Sequence, residues 1–525
     1  MAGKMRKLPI GIQSFEKMIR DGFLYVDKTE YIYRLVSDGA PYFLSRPRRF
    51  GKSLLLSTLR AFWEGKRELF EGLAITRLME EDGKAWEPYP VFYFDFNKAN
   101  YQRTTALEEV LDDHLKEWEK IYGETYSSEG LESRFQHLLV AAKEQTGKNV
   151  VVLVDEYDKP LLETMAKEEL EEHNKAVFKG FFSTLKSYDA YIRFVFLTGV
   201  TKFSKVSIFS DLNQLRDISL LREYSGICGI TETELKENFA PEIRAMAESR
   251  GISTEACLGK LKQMYDGYHF HYRAEGVYNP FSLLNSLASQ EFGAYWFSTG
   301  TPTFLLKKLE EIDFDAREFT GGELYADEDS LSDYRADNED PLPLFYQTGY
   351  LTITGYDEET RSCGLGYPND EVRYGFLKSL APTYLHTPSV SNPMDIRNFL
   401  KDIRSGETDR LKERFTAIFA RLSYTTEEKP SERDFQNVVY IVFMLLGQFV
   451  RTEIHSAKGR ADVIVETEDY VYIFEFKRDR SAAEALSQIT DKGYDKPYAA
   501  DPRKLIKIGA NFNSKECNLD GWEVA

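Results

Sequence analysis

Up to residue 200, short apolar runs alternate with longer stretches whose apolar residues recur at helical spacing. Residues 23–26, 41–45, 91–96, 149–154 and 192–197 predict strands, and 10–21, 28–36, 53–63, 105–122, 133–146 and 168–188 predict helices. Val150-Val151-Val152-Leu153-Val154 is apolar throughout, as a parallel strand covered on both faces requires. Strands joined by helices in this way imply a parallel, doubly wound sheet. Asp27 is placed to cap the helix over 28–36.

After residue 216 the pattern becomes helical and polar, with Thr231-Glu232-Thr233-Glu234 as a helix start. Between 295 and 385 short helices and strands mix, and the acidic run over 327–340 predicts a solvated loop. His269 and His271 alternate with no third ligand in view, so no metal site is expected there. Further on, an apolar helix over 435–449 precedes strands at 450–454, 459–466 and 470–477, a helix over 481–492 and a strand at 504–510. Four segments follow from these shifts: 1–215, 216–294, 295–385 and 386–525.

Composition narrows the class without naming a site. The chain has 525 residues, 42% hydrophobic and 29% charged, enough for several domains with real cores. No run approaches a membrane span, and Met1 to Gly11 lacks the apolar core of a signal peptide, so a cytoplasmic protein is expected. Cys228, Cys257, Cys363 and Cys517 are scattered, which argues against a disulfide framework and a structural zinc site. A net charge of −18 disfavours indiscriminate nucleic-acid binding while permitting a local basic groove.

Chemistry enters with Arg46-Pro47-Arg48-Arg49-Phe50-Gly51-Lys52-Ser53, set between a strand and a helix. Such a loop aims backbone N–H groups and the positive end of a helix dipole at an anion. Lys52 would reach the β- and γ-phosphates of a nucleotide, and the Ser53 hydroxyl would sit on Mg²⁺. The usual loop opens with Gly where this chain has Arg46, so Arg46, Arg48 and Arg49 either supply charge or mark a degraded site. The partner is Asp155-Glu156, at the C-terminal end of the apolar strand, where α/β sheets place ligand chemistry. Asp155 would hold Mg²⁺ through water and Glu156 would polarise the attacking water; otherwise both cap the next helix. Thr198, at the tip of the following strand, is a candidate γ-phosphate sensor or a plain turn cap. Lys202 or Lys205 could contact phosphate or a neighbouring subunit. Phe15 and Tyr25 either wall the adenine pocket or pack the core, and 216–294 would form a lid.

A second constellation lies near the C-terminus. Strand alternation puts Glu475 and Lys477 on one face and Phe474 and Phe476 on the other, and the preceding strand lets Asp462 approach Glu475. Two carboxylates and a Lys on one sheet suit Mg²⁺-dependent phosphodiester hydrolysis, with Mn²⁺ an alternative. Asp462 and Glu475 would bind metal, and Lys477 would position water or stabilise the developing charge. A buried Glu475–Lys477 ion pair without function is the bland alternative. Gln488 faces the same neighbourhood and could contact substrate, and Tyr494 is a weaker candidate.

These residues together resemble the bacterial family that joins an N-terminal AAA-ATPase-like domain to a C-terminal PD-(D/E)XK nuclease domain. The resemblance rests on Tyr25-Val26-Asp27-Lys28-Thr29, the loop over 45–53, Leu153-Val154-Asp155-Glu156-Tyr157-Asp158, Thr198-Gly199-Val200 and Phe209-Ser210-Asp211-Leu212-Asn213. At the other end it rests on Gly459-Arg460-Ala461-Asp462 and Ile473-Phe474-Glu475-Phe476-Lys477. It implies an α/β chain: a P-loop NTPase sheet binding ATP at Lys52, Ser53, Asp155 and Glu156, and a restriction-endonuclease-like domain with its nuclease centre at Asp462, Glu475 and Lys477. The residue pattern adds Arg48, Arg49, Phe50, Gly51 and Thr198 as further nucleotide-site candidates, and a helical lid and a winged-helix-like module between the two domains. No clear acid comes from the first nuclease helix, where Glu432 and Gln436 are the candidates. The expected activity is an ATP-controlled nuclease acting on nucleic acid, DNA foremost, with a homo-oligomer left open. A nucleotide-dependent switch that binds nucleic acid or a partner without cutting is the alternative.

Overall fold

The computed structural model describes residues 6–123, 130–165, 167–203, 215–299, 305, 309, 324–332, 340–385, 393–425, 432–447, 451–454 and 462–525. By internal contacts the chain divides into two compact units. One comprises Met1–Trp296 and Tyr325–Asn369, and the other Phe297–Leu324 and Asp370–Ala525. The segment expected at 295–385 is thus shared between the two.

The first unit is built on a parallel sheet of β1 (Pro41–Ser45), β2 (Val91–Asp95), β3 (Val150–Asp155), β4 (Ile192–Gly199) and β5 (Arg216–Asp217). Their spatial order is β2-β3-β4-β1-β5, all neighbours parallel. Every residue of β3 is buried, as its unbroken apolar run requires. The order inserts β4 between the strand that feeds the phosphate loop and the strand that carries Asp155. The helix Lys52–Trp63 packs on this sheet, with Trp63 against Phe194 of β4, and buries Leu55, Leu56 and Leu59. Among the described residues, 23–26 is not a strand: it contributes a single bridge from Phe23 to Lys7. Asp27 acts more broadly than a cap, since Oδ1 accepts from Thr29 N at 2.8 Å and Oδ2 from Ala74 N at 2.7 Å, tying two helix starts together. Phe15 is buried against Phe70 and Tyr25, which is core packing.

The helical stretch after 216 begins with a small antiparallel pair, β6 (Ile230–Thr231) and β7 (Val277–Tyr278). Thr231 and Glu234 close a capping box on the helix Glu232–Arg250. Residues 325–369 supply an antiparallel sheet of β8 (Tyr325–Asp327), β9 (Thr352–Asp357) and β10 (Ser362–Gly366), with β10 central. This segment meets the phosphate loop closely. A Cβ added to Gly349, whose φ is 88°, would stand 2.7 Å from Pro47 Cβ.

The second unit carries a mixed sheet of β11 (Arg451–Ile454), β12 (Val463–Glu466), β13 (Tyr470–Arg478), β14 (Lys504–Asn513) and β15 (Asn518–Val524) in that order. β11, β12 and β13 pair antiparallel, β13 and β14 parallel, and β15 antiparallel to β14. The helix Ala482–Asp491 crosses β14 at Gly509, where an added Cβ would collide with Ala482 O and Leu486 N. That close approach sets the helix directly over the sheet. Among the described residues no helix is long and apolar enough to cross a membrane.

Candidate functional site

In the first unit the loop after β1 is held by backbone geometry and by one inward-turned arginine. Arg49 and Gly51 sit at φ 68° and 98°, left-handed positions that curl the chain ahead of the helix Lys52–Trp63. Arg48 and Arg49 form a turn, and Gly51 then leads into the first turn of the helix, whose N–H groups have no partner within the helix, as in an anion-binding loop. Arg46 is 1% exposed. Its guanidinium donates to Ser45 O and Ser219 O at 2.8 Å and Tyr224 O at 3.1 Å, and stacks 3.8 Å from the Phe270 ring centre. Its charge therefore serves the scaffold rather than the loop's mouth. Arg48 and Arg49 are exposed, Arg49 over Phe281, whereas the Phe50 ring is buried against Tyr268 and Phe270. Only the backbone of Phe50 is left for a phosphate.

Lys52 is buried, and its Nζ donates to the carbonyls of Arg46 at 2.9 Å and Pro47 at 3.1 Å. Asp155, 2% exposed, is surrounded by hydroxyls. Thr198 Oγ1 donates to its Oδ1 at 2.9 Å and Tyr93 Oη to its Oδ2 at 3.2 Å, while Ser53 is a further hydrogen-bond partner. Burial raises the Asp155 pKa, with the Glu156 charge adding to it and the Ser53 and Thr198 hydroxyls opposing. Glu156 follows at φ 52°, half-buried, a backbone position that costs energy for a non-glycine residue. The turn after β4 is pinned by Asp158, whose Oδ2 accepts from Val200 N, Thr201 N and Thr201 Oγ1 at 2.7–2.9 Å. Lys202 pairs with Asp217 at 2.9 Å and so is engaged within the unit. Lys205 and the run over 209–213 lie outside the described residues. His269 and His271 bond Ala274 O and Arg273 N locally.

In the second unit Val463 faces Phe474, which sets Asp462 beside Glu475 across the β12–β13 pair. Asp462 Oδ2 accepts from Phe476 N at 2.8 Å. Lys477 Nζ donates to Glu475 Oε1 at 2.8 Å, and Gln488 Nε2 donates to the same oxygen. Glu475 is 2% exposed and its other oxygen, Oε2, is buried with no hydrogen-bond partner. Burial, then the charge of Glu475, pushes the Asp462 pKa up to about 6, against the Phe476 N–H and Lys477. An orphaned carboxylate oxygen beside a second strained acid is chemistry that a cation relieves, so the residues fit a divalent metal. Among the described residues no cluster of three or more His, Cys, Asp or Glu adds further ligands. Gly459-Arg460-Ala461 and the Glu432 side chain lie outside the described residues, and Gln436 is half-buried on the helix Glu432–Leu446. Tyr494 packs against the Ile473–Ile489 cluster.

Tyr93 is a contact to Asp155 that the sequence left unmarked; its position on a strand beside β3 was the available signal. The family described as a predicted AAA-ATPase matches residues 9–209, and the PD-(D/E)XK nuclease superfamily matches residues 430–522. The chain is also 36% identical over 536 residues to an "Uncharacterized protein in vnfD 5'region" of Azotobacter chroococcum mcd 1, covering 99% of each. With these two matches at its two ends and a relative alike along its whole length, the chain belongs to the family that joins an AAA-ATPase-like domain to a C-terminal PD-(D/E)XK nuclease domain.

Proposed function

We propose that this protein binds and hydrolyses ATP at its N-terminal loop and cleaves nucleic-acid phosphodiester bonds, DNA foremost, at its C-terminal acids, with the ATP site governing cleavage. The observation that carries the nuclease half is the unequal treatment of Glu475: two donors hold Oε1 while Oε2 is left bare inside the protein. Asp462 and Glu475 hold the divalent cation, Mg²⁺ or Mn²⁺, and Gln488 keeps Glu475 turned toward it. The bound cation supplies Lewis acidity toward the phosphate and acidifies a bound water. Lys477 orients that water or meets the charge developing on the phosphate. In the N-terminal unit the N–H groups of the helix start at Gly51, Lys52 and Ser53 cradle phosphates, and Lys52 turns from the Arg46 and Pro47 carbonyls onto them. Ser53 and Asp155 hold the nucleotide's cation, and Glu156 orients the attacking water.

The test is cleavage of labelled DNA and RNA with Mg²⁺ or Mn²⁺, with and without ATP, for wild type beside Asp462→Ala/Glu475→Ala. Products from wild type alone, with ATP binding equal in both proteins, are expected. Removing both acids should cost more than the ~10²–10³-fold that loss of one electrostatic group costs. Equal silence of the two proteins across substrates would replace this reading with the nucleotide-dependent switch.

A further inference from the structure

Asp155 stands between two neighbouring strands, and each lends it a hydroxyl. β4 supplies Thr198 to Oδ1, and β2 supplies Tyr93 to Oδ2. The β2 side has no counterpart among the motif residues, and its geometry is built rather than incidental. Tyr93 pairs in register with Leu153, two positions before Asp155, so the phenol lies along the strand with its oxygen at the carboxylate. The ring is half-buried, and the Arg60 guanidinium, itself bonded to Glu64 at 2.7 Å, lies 5.6 Å from its centre. The aromatic body is thus held by packing and the hydroxyl is free to serve the acid.

We propose that Tyr93 is a positioning residue for the nucleotide's cation: its hydroxyl fixes Oδ2 of Asp155, so that the carboxylate presents one defined face to the metal that Ser53 shares. This rests on the nucleotide reading of the loop given above. A carboxylate that keeps its orientation without ligand spends no free energy being ordered when the cation arrives. Thr198 does the same on the other oxygen, so the two hydroxyls act as a pair of brackets. Deleting either strips one oxygen of its hydroxyl and loosens the acid's orientation, while the residues over 48–53 are unchanged.

Tyr93→Phe removes the hydroxyl and keeps the ring. Nucleotide binding would be followed with a fluorescent ATP analogue, in EDTA and across a Mg²⁺ or Mn²⁺ titration. The expected result is unchanged affinity without metal and a half-saturating cation concentration raised about tenfold, the lower end of what loss of a metal ligand's partner costs. On an Asp155→Asn background the same substitution should add nothing, because its effect runs through that carboxylate. An unchanged cation titration, or an affinity loss of equal size in EDTA and in metal, overturns the inference. A wild type that binds no nucleotide at all overturns the nucleotide reading and this inference with it.

Discussion

Asp155 and Asp462 are both carboxylates near strand ends whose burial raises their pKa, yet the protein treats their oxygens differently. Asp155 has a hydroxyl on each oxygen, Thr198 on one and Tyr93 on the other, with Ser53 as a third partner. Asp462 has one backbone N–H, and its neighbour Glu475 leaves an oxygen bare. Neutral donors make the first acid tolerable without ligand, because each replaces a hydrogen bond lost to water. The second acid pair keeps a mutual repulsion that Lys477 offsets in part, and a further cation or a proton would relieve the rest. The Asp155 site is therefore closed on itself, with Lys52 likewise resting on the Arg46 and Pro47 carbonyls, while Asp462 and Glu475 are held under electrostatic stress.

The sharpest way to break the closed site is at Arg46. Arg46→Ala, or Arg46→Gly with the usual loop opening, strands the carbonyls of Ser45, Ser219 and Tyr224. A loss of about 3–4 kcal/mol is expected, read as a lower denaturant midpoint, with no gain in nucleotide affinity. A gain in affinity would mean that the arginine obstructs the loop rather than building it.

The stressed site should respond with the opposite sign. Asp462 has a raised pKa in the folded protein, so its charged form costs stability at pH above about 6, and the cost disappears below the ordinary carboxylate value of 3.8. Asp462→Asn should therefore stabilise the metal-free C-terminal domain by about 3 kcal/mol near neutral pH, and this gain should fade as pH falls from about 6 to 4. Thermal denaturation in EDTA across that range checks it. Saturating Mn²⁺ should reverse the ranking, since only the wild type keeps both ligands. In the wild type, cation affinity should weaken as pH falls through about 6, because the proton competes for Asp462.

Lys52→Ala gives the smallest of these effects. It should lower ATP affinity about 100-fold, the worth of charge-assisted bonds to phosphate, and leave cation binding at the C-terminal acids unchanged. Equilibrium binding of ATP and of Mn²⁺ to the same sample separates the two. A change in both would contradict independent sites.

Much of this molecule could be read before it was seen. The apolar run of β3 demanded a strand buried on both faces, and all of it is buried. Gly51-Lys52-Ser53 needed only local geometry, a left-handed glycine leading into a helix, and that is what formed. Asp462, Glu475 and Lys477 followed from the period of two along paired strands, which also stacks Phe474 on Phe476 on the other face. Residues 23–26 misled because four apolar residues satisfy a strand pattern and also a segment that packs on helices; Leu24 and Val26 lie against the cluster built on the helix Glu232–Arg250. The last strand, β15, went unmarked because Asn518-Leu519-Asp520-Gly521-Trp522 carries no clean alternation; its pairing with β14 supplies what its sequence lacks.

Local chemistry in the sequence marked the candidate residues: a Gly-Lys-Ser loop, an acid at the end of an apolar strand, and two carboxylates with a lysine. Spacing along one chain is enough to specify elements whose geometry is set by near neighbours. Only the tertiary structure decided the order β2-β3-β4-β1-β5, which brings Thr198 and Tyr93 to Asp155 from either side. It alone decided that Arg46 turns inward onto carbonyls 173 and 178 residues away. Such contacts depend on which strands become neighbours, and that choice is made by packing the whole apolar surface at once, which no single stretch of sequence records.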